Sequence, residues 1–308
     1  MCNVTISTYA FFKKFPDEQA AIEHLEQRRW NGSPTCPFCG AQERVQRRTI
    51  RPYYRCLACK KDFTVRTGTL FERSHVPLHK WLYAIYLVVT ARKGISSLQL
   101  SKELGVRQGT AWFMLQRIRQ VLKDDDDQGG GFLSGIVEVD ETYIGGKEAN
   151  KHEGKKLKAG RGTVGKLAVI GMKQRNGKLK ARLLAGTSMK AIHAAVTAVV
   201  APGSTLCTDE HSAYTGMPQY THKTVCHSAK QFVDGMAHTN SIESVWAVLK
   251  RGFYGIYHSF SAKHLNRYIA EFAFRLNEGN CKIHTLDRID AFLDKMTRGK
   301  ITYKALIA

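Results

Sequence analysis

The chain has 308 residues, and its 47 lysine and arginine residues against 26 aspartate and glutamate residues give a formal net charge of +21. A hydrophobic content of 43% is typical of a globular protein and excludes a largely disordered one. So strong a positive charge favours a polyanionic partner, and we expect nucleic acid rather than the surface of an anionic membrane. The length allows two or three domains.

Two features of the sequence argue against a membrane protein or a secreted protein. The longest apolar run, WLYAIYLVV at 81–89, is about half as long as a membrane-spanning helix needs to be. The N-terminal stretch MCNVTISTYAFFKKFP has aromatic residues and lysines where a signal peptide has an apolar segment. We therefore expect a cytoplasmic protein with no membrane partner, whose cysteines are reduced or bound to metal.

Four clustered cysteines follow a short N-terminal helical segment, residues 1–30, which contains the amphipathic stretch DEQAAIEHLEQRRW. They stand as C-x2-C, sixteen intervening residues and a second C-x2-C, within a domain that we assign to residues 31–70. This spacing predicts a zinc ribbon, in which two knuckles hold one structural Zn2+ through four thiolates. A redox C-x2-C pair would not need a second copy. The predicted zinc ligands are Cys36, Cys39, Cys56 and Cys59.

The segment 75–123 contains one long apolar helix, PLHKWLYAIYLVVTARKG, followed by two shorter amphipathic stretches. Leu98, Leu100 and Leu104 suit a first short helix, and Gly105 suits a tight turn before a second helix at 107–118. This pattern predicts a helix-turn-helix domain that binds double-stranded DNA, although an ordinary helical hairpin has the same pattern. The residues expected to contact DNA bases are Arg107, Gln108 and Thr110.

An acidic and glycine-rich stretch, DDDDQGGG at 124–131, interrupts this pattern. Consecutive carboxylates on one flexible stretch do not converge on a metal ion, so we interpret residues 124–134 as a solvated linker. The sequence then changes to short strands, expected in GIVEVDETYIGG, KLAVIGMKQ, KLKARLLAG, TLCTDEHSAY and KTVCHS, with a helix in MKAIHAAVTAVV. This order predicts a mixed α/β domain over residues 135–285, followed by a tail at 286–308.

A basic loop, GGKEANKHEGKKLKAGRGTVGK at 145–166, separates the first two expected strands. Its basic residues outnumber its two glutamates, so we expect it to be mobile and to order on a phosphate backbone. The lysines assigned to this contact are Lys155, Lys156 and Lys158.

Three carboxylates lie where two strands and one helix can bring them together. On the first strand, Glu138 and Asp140 point away from the side that carries the valines. Asp209 ends a later short strand, and Glu243 belongs to a helix in HTNSIESVWAVLKRG. Such oxygen ligands suit two Mg2+ ions, which activate the attacking oxygen and stabilise the leaving oxygen in phosphodiester chemistry.

The helix that carries Glu243 has two contrasting sides. The side expected to face a core carries Ile242, Val245, Trp246 and Leu249. The opposite side carries Asn240, Glu243, Ala247 and Lys250. A solvated surface explains this second side as well as a catalytic role does, because most surface helices look like this.

The segments VEVDETYIGG, CTDEHSAY and HTNSIESVWAVLKRGFYGIYHSFSAKHLNRYIAEFAFRLN resemble the three catalytic blocks of the IS1595-type (ISXO2-like) insertion-sequence transposases. The ribbon and the helix-turn-helix precede them in the order of that family, so the resemblance extends over about residues 10–280. Members of the family are DDE recombinases. The resemblance therefore implies an α/β fold with a ribonuclease-H-like mixed sheet as its catalytic core, and Mg2+ or Mn2+ in the active site.

Carried over to this sequence, the resemblance implies a catalytic triad of Asp140, Asp209 and Glu243, with 33 residues between the last two. Glu138 and Glu141 are the alternatives to Asp140.

Related transposases can place an asparagine at the third ligand position, so Asn240 stays as the alternative to Glu243. Lys250 falls where the wider class has a basic residue that faces DNA, and Arg251 beside it is assigned to DNA binding as well.

The function implied by the resemblance is that of a DNA transposase. It would bind the terminal repeats of its insertion sequence, cut strands at the element ends and direct each 3′-hydroxyl at target DNA. The resemblance also implies a homo-oligomer in the synaptic complex and a cytoplasmic protein associated with the bacterial nucleoid. Two other functions fit parts of the sequence: a non-catalytic DNA-binding regulator derived from such an enzyme, and a nuclease without strand transfer.

Overall fold

The computed structural model describes residues 4–49, 53–129, 131–146, 148–157, 162–225, 238–277, 282–297 and 301–307. The chain divides into two compact units, one of residues 1–127 with 278–308 and the other of residues 128–277. Within the described ranges, no helix combines the length and the apolar composition that crossing a membrane requires.

The first unit begins with two helices, α1 (Thr8–Lys14) and α2 (Glu18–Trp30). The side-chain oxygens of Ser7 and Asp17 each accept a backbone N–H from the first turn of the helix that follows. Leu25 is among the apolar residues that α2 buries. The amphipathic helix predicted before the cysteines is therefore confirmed.

A small three-stranded antiparallel sheet follows, made of β1 (Val45–Arg47), β2 (Tyr54–Cys56) and β3 (Asp62–Phe63) in that order. The indole of Trp30 packs edge-on against Tyr54 and Phe63, with ring centroids 5.1 and 5.8 Å away. These aromatic rings supply much of the apolar burial available to so short a segment.

Three helices complete this part of the unit: α3 (Leu78–Thr90), α4 (Ser97–Leu104) and α5 (Gln108–Gly129). Gly105 ends α4 in the left-handed conformation with φ of 61°, which a glycine adopts without steric cost. The turn between α4 and α5 lies where the sequence predicted it, and α5 begins near the start of the second helix expected at 107–118.

The stretch interpreted as a linker differs from the expectation, because α5 continues through the acidic run to Gly129. Aspartate costs a helix only a few tenths of a kcal/mol more than most polar residues, so four of them do not end one. The helix ends after Gly129, and Gly131 has a left-handed φ of 59°, which a glycine adopts without steric cost.

The second unit is built on a five-stranded mixed sheet in the order β6-β5-β4-β7-β8. Its strands are β4 (Ile136–Ile144), β5 (Leu167–Gln174), β6 (Leu179–Leu183), β7 (Thr205–Thr208) and β8 (Thr221–Thr224). The first three pair antiparallel, whereas β7 runs parallel to β4 and β8 parallel to β7. The predicted mixed α/β fold is confirmed. The last strand, β8, begins two residues before the segment expected for it and overlaps its first two residues, and residues 226–228 of that segment fall outside the described ranges.

Helices cover both faces of this sheet. On one face, α6 (Met189–Thr197) packs Ile192 and Val196 into a core with the valines of β4. On the other face, α7 (Asn240–Gly252) and α8 (Leu265–Leu276) form a second core with β5 and β6. The strand alternation of apolar residues between the two cores fixes which way the acids of β4 point.

The end of the chain returns to the first unit as α9 (Thr285–Leu293) and α10 (Tyr303–Ile307). This differs from the expected tail. The buried side chains of α9 include Ile289 and Phe292, and the Arg288 guanidinium donates to the Val89 carbonyl at 2.6 Å. An amphipathic segment of this kind buries its apolar side rather than remaining in solvent.

Candidate functional site

The four ribbon cysteines converge on one point. The sulfur atoms of Cys36 and Cys59 lie 3.6 Å apart, as do those of Cys39 and Cys56, and all four lie within 4.8 Å of one another. Tetrahedral zinc with sulfur at about 2.3 Å requires sulfur atoms about 3.8 Å apart. The set therefore fits Zn2+ in number, chemistry and spacing, and it offers no fifth position for a substrate.

The backbone of each knuckle explains why these thiols meet. The residue after the second cysteine of each pair, Gly40 or Lys60, is left-handed, with φ of 76° and 57°. The turn brings the two cysteines of a knuckle to the same side. The backbone N–H of Cys59 lowers the pKa of the Cys56 thiol to about 7, which favours the thiolate that zinc requires.

Asp140 and Asp209 occupy corresponding positions on neighbouring strands. The parallel register sets Glu138 of β4 opposite Cys207 of β7, so the two acids follow at the same level two residues later. The pKa of Asp140 is raised to about 6, first because burial disfavours its charged form and then because the charge of Asp209 opposes it. A divalent cation shared by the two carboxylates would offset both effects.

Asp140 lies inside β4 rather than at its end, because β4 keeps pairing with β5 as far as Ile144. Both of its carboxylate oxygens are held: Oδ1 accepts the backbone N–H of Glu141 at 2.8 Å, and Oδ2 accepts the indole N–H of Trp246 at 3.0 Å. Asp209 follows directly after β7, and its Oδ1 accepts the N–H of His211 at 3.1 Å.

Glu141, one of the two alternatives to Asp140, belongs to the opposite face of β4. Burial raises its pKa, and the charge of Asp209 raises it further. The buried side chain of Tyr214 lies in this neighbourhood, where burial and the Glu141 charge raise the pKa of its phenol. Glu141 is therefore close to the acid pair but is presented from the other side of the strand.

Glu138, the other alternative, has a different role. It is completely buried, and its Oε2 accepts the backbone N–H groups of Ser241 and Ile242 at 2.9 and 3.1 Å. Its Oε1 lies 3.2 Å from Nη2 of Arg175. The carboxylate thus caps the N-terminus of α7 and leaves little capacity for a metal ion. Sequence alternation placed Glu138 on the right face, but no sequence signal links it to Arg175 or to the helix.

Glu243 and Asn240 both lie on the exposed side of α7, and the apolar side predicted for this helix is buried. The Oε1 atom of Glu243 accepts the hydroxyl of Thr239 at 3.0 Å. Among the described residues, the four cysteines are the single group of three or more ligand side chains within 4.8 Å of one another. The structure therefore brings Asp140 and Asp209 together, and it does not bring Glu243 within ligand distance of both.

The residues assigned to DNA contact are mostly exposed. Lys250 and Arg251 follow Glu243 on α7, and the Arg251 guanidinium donates to the Ala247 carbonyl at 3.0 Å. Arg107 is exposed just before α5, and Thr110 is half-buried.

Gln108 begins α5 and donates from its side-chain amide to the Ser97 hydroxyl at 2.7 Å. It therefore ties α5 to α4 as well as presenting a polar group at the surface.

In the basic loop, the two glutamates pair with nearby lysines. Glu148 lies 2.5 Å from Lys151, and Glu153 lies 2.8 Å from Lys156. The side chain of Lys155 and the whole of Lys158 are outside the described part of the chain.

Comparison with known families gives two matches. Residues 132–277 match the ISXO2-like transposase domain, and residues 16–62 match the transposase zinc-ribbon domain. Together the two matches cover more than half of the chain, and they include Asp140, Asp209 and Glu243 as well as the four ribbon cysteines.

A similar curated protein is described as an uncharacterized protein in transposable element ISH50 of Halobacterium salinarum. It is 29% identical over 277 residues, which cover 85% of this chain and 92% of that protein. A similar solved structure is a simian T-cell lymphotropic virus intasome in complex with the PP2A regulatory subunit B56 gamma. That match is 14% identical, covers 65% of this chain and 66% of the other chain, and has a TM-score of 0.28, too low to support an inference.

Proposed function

Because the chain belongs to the IS1595-type (ISXO2-like) transposase family, we propose that it is a DNA transposase that cleaves strands at the ends of its insertion sequence and transfers them to target DNA. The observation that carries this proposal is the pair of carboxylates formed by Asp140 on β4 and Asp209 directly after the parallel neighbour β7, at the same level of the sheet. Two acids that repel one another at the centre of a sheet are costly unless a cation offsets their charge.

The mixed sheet supports a ribonuclease-H-like catalytic core, since its central strand carries the first acid and helices cover both faces. Glu243 is the third ligand in this proposal, with Asn240 one turn earlier as its rival. Bound Mg2+ or Mn2+ would polarise the attacking oxygen and stabilise the leaving oxygen. The chain itself holds Asp140 and Asp209 in fixed orientations through hydrogen bonds from Trp246 and His211.

In this proposal, DNA binding is supported by the net charge of +21 and by the helices of the first unit. The tight turn between α4 and α5 and the exposed Arg107 and Gln108 support a helix-turn-helix that reads the terminal repeats. Lys250 and Arg251 extend the exposed side of α7 that carries Glu243, where they would contact the phosphate backbone. Joining two element ends requires more than one active site, so the active species is a homo-oligomer in this proposal.

A strand-transfer assay tests the function. The full chain is mixed with Mg2+, a target plasmid and pre-cut duplexes that carry the element's terminal repeats, and joined products are counted. We expect joining that requires the repeats and the metal ion. Cutting of intact ends without joining of pre-cut ends would identify a nuclease, and binding with neither reaction would identify a regulator.

A further inference from the structure

Trp246 is a core residue of α7 whose indole also makes a hydrogen bond to a carboxylate of the proposed active site. It lies on the apolar side of α7, is 4% exposed and packs in the core between α7, α8 and the sheet. Its indole N–H nevertheless donates to Oδ2 of Asp140 at 3.0 Å. A hydrogen bond therefore joins the apolar side of α7 to Asp140, which the proposed function takes as a metal ligand.

The neighbouring strand is shaped to admit this contact. Gly171 of β5 pairs directly with Asp140 of β4. A Cβ atom on Gly171 would lie 2.5 Å from Cη2 and 2.6 Å from Cζ2 of the Trp246 ring, closer than real carbon contacts allow. Only a residue without a side chain lets the indole lie this close to the strand backbone.

The second oxygen of Asp140 is fixed as well, by the backbone N–H of Glu141 at 2.8 Å. An ionised carboxylate has about four lone-pair sites, so two hydrogen bonds leave about two sites free and determine where they point. Groups that hold a metal ligand in this way are known to raise the affinity of a site for its ion.

We propose that Trp246 is a positioning residue, whose indole N–H fixes the Asp140 carboxylate in the orientation that receives a divalent cation, and that Gly171 provides the space for it. This inference rests on the proposed function, since it takes Asp140 as a metal ligand. The alternative is that Trp246 only fills the apolar core and that Asp140 merely provides a hydrogen-bond acceptor for its buried N–H. In that case, removing the N–H would leave the affinity for the metal ion unchanged.

The first test measures Mn2+ binding to the full, zinc-loaded chain. Trp246→Phe keeps an aromatic ring in the core and removes the N–H, so we expect roughly 10- to 100-fold weaker binding at the acid site. Phe272→Leu is the matched control, because Phe272 belongs to the same apolar cluster and has no contact with Asp140 among those described. It should bind Mn2+ as the wild type does. Equal affinities of Trp246→Phe and wild type would overturn the proposal.

The second test needs no change at Trp246, and so it holds even if that variant does not fold. The chain has four tryptophans, and Trp246 is the single one between residues 128 and 277. In the wild-type chain labelled with 15N, we expect one indole N–H resonance to shift on addition of Mg2+, and Asp140→Asn to abolish the shift. No shifted indole resonance at saturating Mg2+ would overturn the proposal.

The two inferences fail in different ways. If Asp140→Asn binds Mn2+ as tightly as the wild type, Asp140 is not a ligand and the proposed catalytic site is wrong. If Asp140→Asn loses the ion while Trp246→Phe keeps the wild-type affinity, the proposed function stands and the positioning role of Trp246 is wrong.

Discussion

The ribbon and the proposed acid site, formed by Asp140, Asp209 and Glu243, arrange their candidate metal ligands in opposite ways. In the ribbon, four thiols from two local turns lie within 4.8 Å of one another and enclose a single point. In the second unit, Asp140 and Asp209 come from separate strands, and Glu243 lies on the exposed side of a helix. A closed set of soft ligands stabilises a fold, whereas an open set of hard ligands leaves room for a phosphate and a reacting oxygen.

The two sites also differ in how their surroundings shift the pKa of a ligand side chain. In the ribbon, the backbone N–H of Cys59 lowers the pKa of the Cys56 thiol, which favours its thiolate. In the second unit, Asp140 and Asp209 are half-buried, and partial burial together with the charge of Asp209 raises the pKa of Asp140. The ribbon is therefore suited to one tightly bound ion, whereas in the proposed function divalent cations would offset the charge of the two acids.

The largest expected effect concerns the closed site. Cys36→Ser removes one of four ligands, and the small sheet has little core with which to compensate, so we expect loss of zinc and unfolding of the ribbon. Metal analysis should find about one Zn2+ per wild-type chain and none in the variant. Cys207→Ser, at a buried thiol of the second unit, is the control and should retain zinc. A folded, reduced wild-type sample without zinc would contradict the assignment.

The next effect concerns the attachment of α7. Glu138→Gln removes the fully buried carboxylate that pairs with the half-buried Arg175 and caps α7, so we expect a loss of about 3–5 kcal/mol in the free energy of unfolding. Urea unfolding measures it. Glu153→Gln removes the exposed partner of Lys156 and should cost at most about 1 kcal/mol. A loss at Glu138 no larger than at Glu153 would mean that the buried cap does not hold the helix.

A smaller effect is expected at Gly171. Gly171→Ala forces a methyl group against the Trp246 ring and against Ile242, 2.8 Å away, and should cost about 1–3 kcal/mol in the free energy of unfolding. Gly186→Ala adds the same methyl group where nothing lies within 4 Å and should change stability by less than about 0.5 kcal/mol. Equal stabilities of the two variants would show that the core adjusts to the extra methyl group.

The smallest effect concerns the basic loop. Changing Lys155, Lys156 and Lys158 to alanine removes up to three phosphate contacts, each of which releases about 0.9 counterion from duplex DNA. The slope of log affinity against log salt concentration should become shallower, while the preference for the terminal repeats stays the same. Binding that is independent of salt in the wild type would contradict an electrostatic role. A changed end preference would show that the loop reads sequence.

Local features of the fold were predictable from the sequence. The C-x2-C pairs specify two tight turns, and the spacing of Ile242, Trp246 and Leu249 specifies the buried side of α7, because each pattern is decided within one or two turns of chain. The family resemblance is confirmed for the transposase and zinc-ribbon domains, while the roles of the individual site residues stay predictions.

Features that depend on distant segments were not predictable in the same way. The buried cap at Glu138 joins β4, Arg175 and the start of α7, and no periodicity connects three such segments. The extension of α5 through the acidic run differs from the expected linker, because aspartates lower helix stability only slightly and do not by themselves end a helix. The return of α9 to the first unit depends on an apolar surface that the sequence does not reveal.

Substitutions in the proposed triad provide the most direct measurement. Four variants are compared with the wild type for cleavage and joining of terminal-repeat DNA in the presence of Mg2+, and for binding of the same DNA. They are Asp140→Asn, Asp209→Asn, Glu243→Gln and Asn240→Ala. The first three should each lose ~10³-fold or more in both reactions, because several kcal/mol of charge stabilisation is lost with each ligand. They should still bind the ends through the first unit. An active Glu243→Gln beside an inactive Asn240→Ala would move the third ligand to Asn240, whereas an active Asp140→Asn or Asp209→Asn would contradict the two-metal account.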